Sequence, residues 1–128
     1  MIKSLLIFIM LLLPFNLMAQ NDDTVFQKAD VYAHFIGGPI ECLKYIKENM
    51  IYPQKSMDEK IEGDVKLSFI VEKDGSLTHF TIKESVCEEL DAEAIRIFHQ
   101  MPKWICGKIN DKDIRQEITF TVSFKLKK

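Results

Sequence analysis

The sequence predicts an α+β fold in the order helix, strand, strand, helix, strand, with two helices packed on one face of a three-stranded antiparallel sheet. Three observations lead there. Val65, Leu67, Phe69 and Val71 alternate with Lys66, Ser68 and Ile70. Ile118, Phe120, Val122, Phe124 and Leu126 alternate in the same way with Thr119, Thr121, Ser123 and Lys125. Period two marks half-buried strands, each with one greasy and one polar face. Between them, Ala94, Ile95, Phe98 and Met101 recur at three- and four-residue steps, which is the apolar stripe of a helix. A helix of about ten residues, roughly 15 Å long, is not stable alone in water, so it needs a sheet to lie on.

The elements follow in chain order. Residues 1–19 have Lys3, an unbroken apolar run over 5–13, Pro14 and Asn16, and a small-residue site at Ala19-Gln20. That is the layout of a cleaved secretory signal peptide, and the run is well short of the ~20 residues that span a bilayer. An uncleaved inner-membrane anchor is the competing reading. Residues 20–38 read as a leading segment or linker, with a polar tail at 20–23 and a short edge strand at Val25 and Phe26. The domain is expected over 39–128. Pro39 suits the first turn of a helix carrying Ile40, Leu43, Ile46, Lys47 and Met50 inward, with Glu41, Lys44 and Glu48 outside. Tyr52-Pro53 ends it.

After the first strand, residues 72–76 make a hairpin turn, because Gly75 can take positive φ beside Asp74. The return strand spans 77–84, with Phe80 and Ile82 toward the core. The central helix is expected over 91–101. Asp91 caps it, Leu90 staples against Ile95, Glu93 suits the positive end of the dipole and Pro102 ends it. Phe98 should carry core packing, His99 should not, and Pro102 and Trp104 should close one end of the core. Residues 107–113 read as a polar connection to the last strand.

Removing residues 1–19 takes away Lys3, so 17 basic side chains become 16 against 19 acidic ones, a formal charge of −3. No basic run points to nucleic acid or a membrane surface. About 109 residues remain, enough for one modest core. Cys42, Cys87 and Cys106 would enter an oxidising compartment. Cys42 sits in a helical pattern and reads as a buried thiol. Cys87 and Cys106 flank the central helix and can either bridge or stay apart; a bridge over that loop would add about 3 kcal/mol in the entropy model.

Catalytic chemistry is missing. His34, His79 and His99 are scattered without partners at metal-ligand spacing, and there is no zinc motif, nucleophile elbow or phosphate loop. No enzyme, metal or cofactor is expected. An enzyme alternative would have to use Cys87 or His99.

An ordered series then stands out: Phe35-Ile36-Gly37-Gly38, Tyr52-Pro53, residues 61–65, Phe69-Ile70-Val71 with Asp74-Gly75, residues 90–94, Met101-Pro102-Lys103-Trp104, Gly107-Lys108 and the strand 120–126. This series resembles the carboxy-terminal domain of the TonB energy-transducer family, in a form with a Phe-x-Gly-Gly element ahead of the domain. The resemblance covers about residues 24–126. It implies a periplasmic, non-enzymatic domain that grips the TonB box, a short extended segment of outer-membrane receptors. On that analogy Thr119, Thr121, Ser123 and Lys125 lie on the pairing edge, with Asn49 and Tyr52 nearby.

The sequence also departs from the family pattern. Full-length transducers carry an uncleaved membrane helix that engages an inner-membrane motor complex, followed by a long proline-rich spacer. Here residues 20–35 are 16 residues without proline, at most roughly 53–58 Å when extended. Cys106 stands where a proline usually follows the tryptophan, and Asn110-Asp111 where an Asn-Gly turn is usual. The alternative function is a structural or cell-wall-associated periplasmic protein, or a regulator, that keeps the fold and meets peptidoglycan without transducing energy.

Overall fold

The computed structural model describes residues 23–127, so the expected targeting segment lies outside the described residues. Among them no helix is long and apolar enough to cross a membrane. The elements are β1 (Val25–Phe26), α1 (Pro39–Asn49), α2 (Gln54–Asp58), β2 (Gly63–Val71), β3 (Leu77–Glu84), α3 (Glu88–His99), β4 (Gly107–Ile109) and β5 (Lys112–Phe124). The expected α+β order is present, together with the short edge strand expected at Val25 and Phe26, and α2 and β4 are added to it.

The sheet runs β1-β5-β2-β3, and β4 pairs with β5. Its centre is the long antiparallel pairing of β2 with β5, from Gly63 opposite Phe124 to Val71 opposite Gln116. The alternation in both strands puts Val65, Leu67, Phe69 and Val71 on the same face as Val122 and Phe124, all of them buried. β3 breaks strict alternation because it carries a bulge. Ser68 pairs with Thr81 but Ile70 pairs with Thr78, and His79 takes a positive φ of 54° between them. The extra residue brings Leu77, Phe80 and Ile82 to the core side together.

α3 lies over this face. Phe98 meets Phe69 at 5.1 Å and Phe120 at 5.2 Å between ring centroids, and Trp104 stands edge-on to Phe69 at 5.3 Å. Aromatic side chains fully buried in this way contribute about 1.5–3 kcal/mol each relative to exposure. Pro102 remains exposed, and that end is closed by Trp104 packed against Phe35 and Phe69.

Several expectations for α3 are corrected. The helix starts at Glu88, with Cys87 at the cap position and no side-chain cap bond. Asp91 therefore sits inside the first turn, where its carboxylate reaches back to the Ser85 hydroxyl and the Val86 N–H. Ile97 is the buried isoleucine, while Ile95 is only half-buried. Glu93, expected only as a partner of the helix dipole, is 7% exposed. It accepts the Ile51 N–H at 2.7 Å and two bonds from the Arg96 guanidinium at 2.6 and 2.8 Å. Arg96 also donates to the Asn49 carbonyl at 2.8 Å. This cluster fastens the end of α1 to α3.

The open question about cysteines resolves toward separation: Cys42, Cys87 and Cys106 are free thiols. A twelve-residue helix is about 18 Å long, and the chain does not double back along it. Instead the Trp104 N–H donates to the Gly75 carbonyl, and Ile105 and His34 exchange both backbone bonds.

Residues 107–113 are also not a simple connection. β4 and β5 form a hairpin whose two turn residues, Asn110 and Asp111, have φ of 51° and 64°. Two successive positive φ values define the turn whose twist suits a two-residue hairpin. The segment before α1 is bonded to the same hairpin. β1 pairs in parallel with Arg115 and Gln116, and Val31 bridges to Lys108. Fully buried Gln116 accepts the Ala33 N–H at 2.8 Å.

Candidate functional site

β5 presents an incomplete edge. On the side facing β2, residues 116–124 are all paired. On the other side, β1 pairs only with Arg115 and Gln116. Among the described residues, positions 117–124 have no second strand partner. An edge of eight residues extends roughly 27 Å and offers a row of unmatched backbone donors and acceptors.

The edge borders a groove whose opposite wall is α1. Near Ile118 and Phe120 the groove opens into a cavity of about 590 Å³, walled by Phe35, Pro39, Cys42 and Trp104. Beyond Phe120 it continues into a second cavity of about 690 Å³, between Thr121, Ser123 and Lys125 on one side and Leu43, Ile46 and Lys47 on the other. Phe120 lines both cavities, so they meet along the strand.

Local sequence explains the α1 wall. Gly37 and Gly38 both have positive φ, 92° and 94°, and swing the chain into the helix, while Phe35 packs against Tyr45 and Trp104. Helical spacing admits two stripes here. Cys42 and Ile46 are the buried ones, so Ile40 and Leu43, expected in the core, are 77% and 55% exposed. Apolar surface therefore flanks the open edge. Burial pushes the Cys42 thiol up to about 11.

Most of the predicted site residues are brought together. Thr119, Thr121 and Ser123 follow one another along the open edge and Lys125 lies just past the end of β5, all of them exposed, and Ser123 donates to Asp64 at 2.8 Å. Tyr52 lines the far cavity; its ring meets Phe124 edge-on at 5.9 Å and its hydroxyl bonds to the Ile61 carbonyl. Burial, then the charge of Glu62, raises its hydroxyl above the ordinary tyrosine value. Asn49 is not part of the lining. Its side-chain amide donates to the Tyr45 carbonyl, and its own carbonyl is taken by Arg96. Leu43, Lys47 and Phe35 are the groove residues that sequence reasoning missed, and the second stripe through Cys42 and Ile46 was the signal that could have found them.

Among the described residues no group of three His, Cys, Asp or Glu side chains could hold a metal ion. His99 stacks by Phe80 at 5.9 Å, and Cys87 lies 3.7 Å from the Ser56 hydroxyl. The geometry suits a backbone-binding surface.

The family of Gram-negative bacterial TonB protein C-terminal domains matches residues 48–126. No curated protein matches the chain. The solution structure of Helicobacter pylori TonB-CTD residues 179–285 is similar at 21% identity and a TM-score of 0.53, covering 70% of this chain and 80% of that one. A second structure of that domain, residues 194–285, gives 21% and 0.52, covering 70% and 94%. With the family match spanning more than half of its residues, the chain belongs to the Gram-negative bacterial TonB protein C-terminal family, a non-catalytic domain family associated with energy transduction for TonB-dependent transport.

Proposed function

We propose that this chain works in the periplasm as the receptor-docking module of TonB-dependent transport, delivered there by the targeting segment at residues 1–19. It takes an extended segment of an outer-membrane receptor, the TonB box, as an added strand on β5. The open edge at residues 117–124 carries this reading, because β1 stops at Gln116 and leaves the rest of β5 unpaired on that side. Main-chain bonds to such an edge supply affinity, and alternate side chains entering pockets supply selectivity. Residues 119, 121, 123 and 125 are the working edge, and Tyr52 closes its far end.

Titration of the protein with receptor plug-segment peptides tests this, followed by amide chemical shifts and hydrogen exchange. The expected result is saturable binding, with shifts and new amide protection concentrated at 117–124. No saturable binding to any such peptide, or binding that leaves the β5 amides unprotected, overturns it.

A further inference from the structure

Strand addition to β5 leaves the outer face of α1 uncovered. That face carries Ile40 and Leu43, and Ile36 stands 53% exposed in the turn that leads into the helix. Ile36 and Ile40 line neither cavity of the groove, so a segment on β5 does not bury them. At about 100° per residue, Lys44 and Lys47 fall within roughly 40° of Ile40 on either side, whereas Glu41 and Glu48 are turned about 80–100° away. Glu41 also folds back on the turn, its Cγ 2.7 Å from where a Cβ on Gly37 would stand. Across the far cavity from Lys47 come Lys125 and Lys127. Among the described residues none of these four ammonium groups is in a salt bridge. The sequence has no basic run, but the fold gathers lysines from two distant stretches beside one exposed apolar stripe.

We infer that the outer face of α1 is a membrane-surface contact: Ile36, Ile40 and Leu43 enter the headgroup–acyl boundary of a phospholipid bilayer, and Lys44 and Lys47 meet its phosphates. A helix lying in the plane of that boundary needs an apolar stripe edged by lysines, whose stems cover apolar surface while their ammonium groups stay among the headgroups. The combination is what selects a bilayer, since an apolar patch alone suits any apolar partner and lysines alone suit any anion. No described helix is long and apolar enough to cross a membrane, so the contact is shallow and reversible. The inference does not depend on strand addition, because Ile36 and Ile40 stand outside the groove. Joined to that reading, it supplies a place: the open β5 edge is held at the membrane surface, which raises the effective concentration of a receptor segment emerging there.

The probes are vesicles of mixed phosphatidylethanolamine and phosphatidylglycerol, and vesicles of phosphatidylcholine, each titrated into the secreted protein. It should co-sediment with the anionic vesicles on the order of tenfold more tightly than with the zwitterionic ones. A nitroxide on the lipid headgroup should broaden the amides of residues 36–47 before any others. The preference for anionic vesicles should shrink in about 0.5 M sodium chloride and in Lys44→Ala. An Ile36→Ser, Ile40→Ser variant, whose substitutions lie outside both core and groove, should bind either vesicle on the order of tenfold less tightly. Unchanged core amides show that this variant is folded. Absence of co-sedimentation overturns the inference, as does self-association through this face in place of lipid binding. Undiminished binding by Ile36→Ser, Ile40→Ser overturns it too, since the lipid contact then belongs to another part of the chain. Strand addition is read separately, with receptor peptides at residues 117–124, and none of these outcomes touches it.

Discussion

Gly75 and Trp104 are joined through their backbones. The Trp104 N–H donates to the Gly75 carbonyl at 2.8 Å, and a Cβ on Gly75 would lie 2.1 Å from the Trp104 carbonyl oxygen. The turn between β2 and β3 is thereby pressed against the chain that leaves α3, and Trp104 is held edge-on to Phe69. Gly75→Ala must meet both a positive φ of 90° and a clash with backbone that cannot swing aside. It should cost roughly 2–4 kcal/mol. Gly38 has a similar φ of 94° with nothing within 4 Å, so Gly38→Ala should cost only about 1 kcal/mol. Urea midpoints of the two variants check the difference.

Glu93 should be the costliest carboxylate to lose. It is the buried partner of Arg96 and of the Ile51 N–H, so Glu93→Ala leaves a guanidinium and a backbone donor without their acceptor. Because Arg96 keeps about a third of its side chain in water, the expected loss is about 2–3 kcal/mol rather than the full value of a buried pair. Glu93→Gln keeps an acceptor and should lose less. Since this cluster anchors the end of α1, amide shifts of Leu43 and Ile46 should move in Glu93→Ala. Chemical denaturation and an NMR comparison test both parts.

The parts of this fold that were legible are those where a single strand or turn carries its own signal. Alternation located β2 and β5, and Asp74-Gly75 located the turn between β2 and β3. What was illegible depends on neighbours distant in sequence. Two stripes compete on α1, and only packing against the rest of the core decides that Cys42 and Ile46 go inward. A carboxylate is expected in water, so nothing local marks Glu93 as buried. The β4–β5 hairpin hid inside a polar stretch, because Lys108 and Asp113 pair on its exposed face. For the candidate site, the alternating pattern named the right strand. Sheet order, which decides that its edge is open, is not written in that strand.

Asp111 should be improvable. With φ of 64° it occupies the second turn position of the β4–β5 hairpin, where glycine carries no steric cost. Asp111→Gly should stabilise the protein by roughly 0.5 kcal/mol, since glycine also loosens the unfolded chain and returns part of the gain. A higher urea midpoint with an unchanged slope would show it; a lower midpoint would mean that the aspartate makes the turn more than it strains it.

Acid sensitivity should centre on Glu72. Its bonds from the Arg115 guanidinium, helped by the Thr78 hydroxyl and opposed by partial burial, hold its carboxyl below the ordinary 4.5. The folded state therefore binds this proton less readily than the unfolded state. The stabilisation is complete above about pH 4.5 and is lost as pH falls through the lower folded value. The pair joins the end of β2 to β5, and Arg115 also donates to the Asp23 carbonyl at 2.8 Å. Glu72→Gln should lower stability at pH 7 and flatten its decline between pH 5 and 3, read from urea midpoints across that range.

The three thiols should separate by accessibility. Cys42 is buried and its thiol is raised to about 11, so it is almost wholly protonated at pH 8. Cys106 is buried too, and its thiol is raised by desolvation and then by Asp113. Cys87 is only half-buried, at the start of α3 beside Ser56. Iodoacetamide at pH 8 should therefore label Cys87 first in the folded protein and all three in urea, whether or not a reductant is added before the label. Mass spectrometry of the digests distinguishes the outcomes. A Cys87–Cys106 crosslinked peptide, with one alkylatable thiol left in urea, would mean that the chain after Trp104 leaves Gly75 and His34 and folds back along α3.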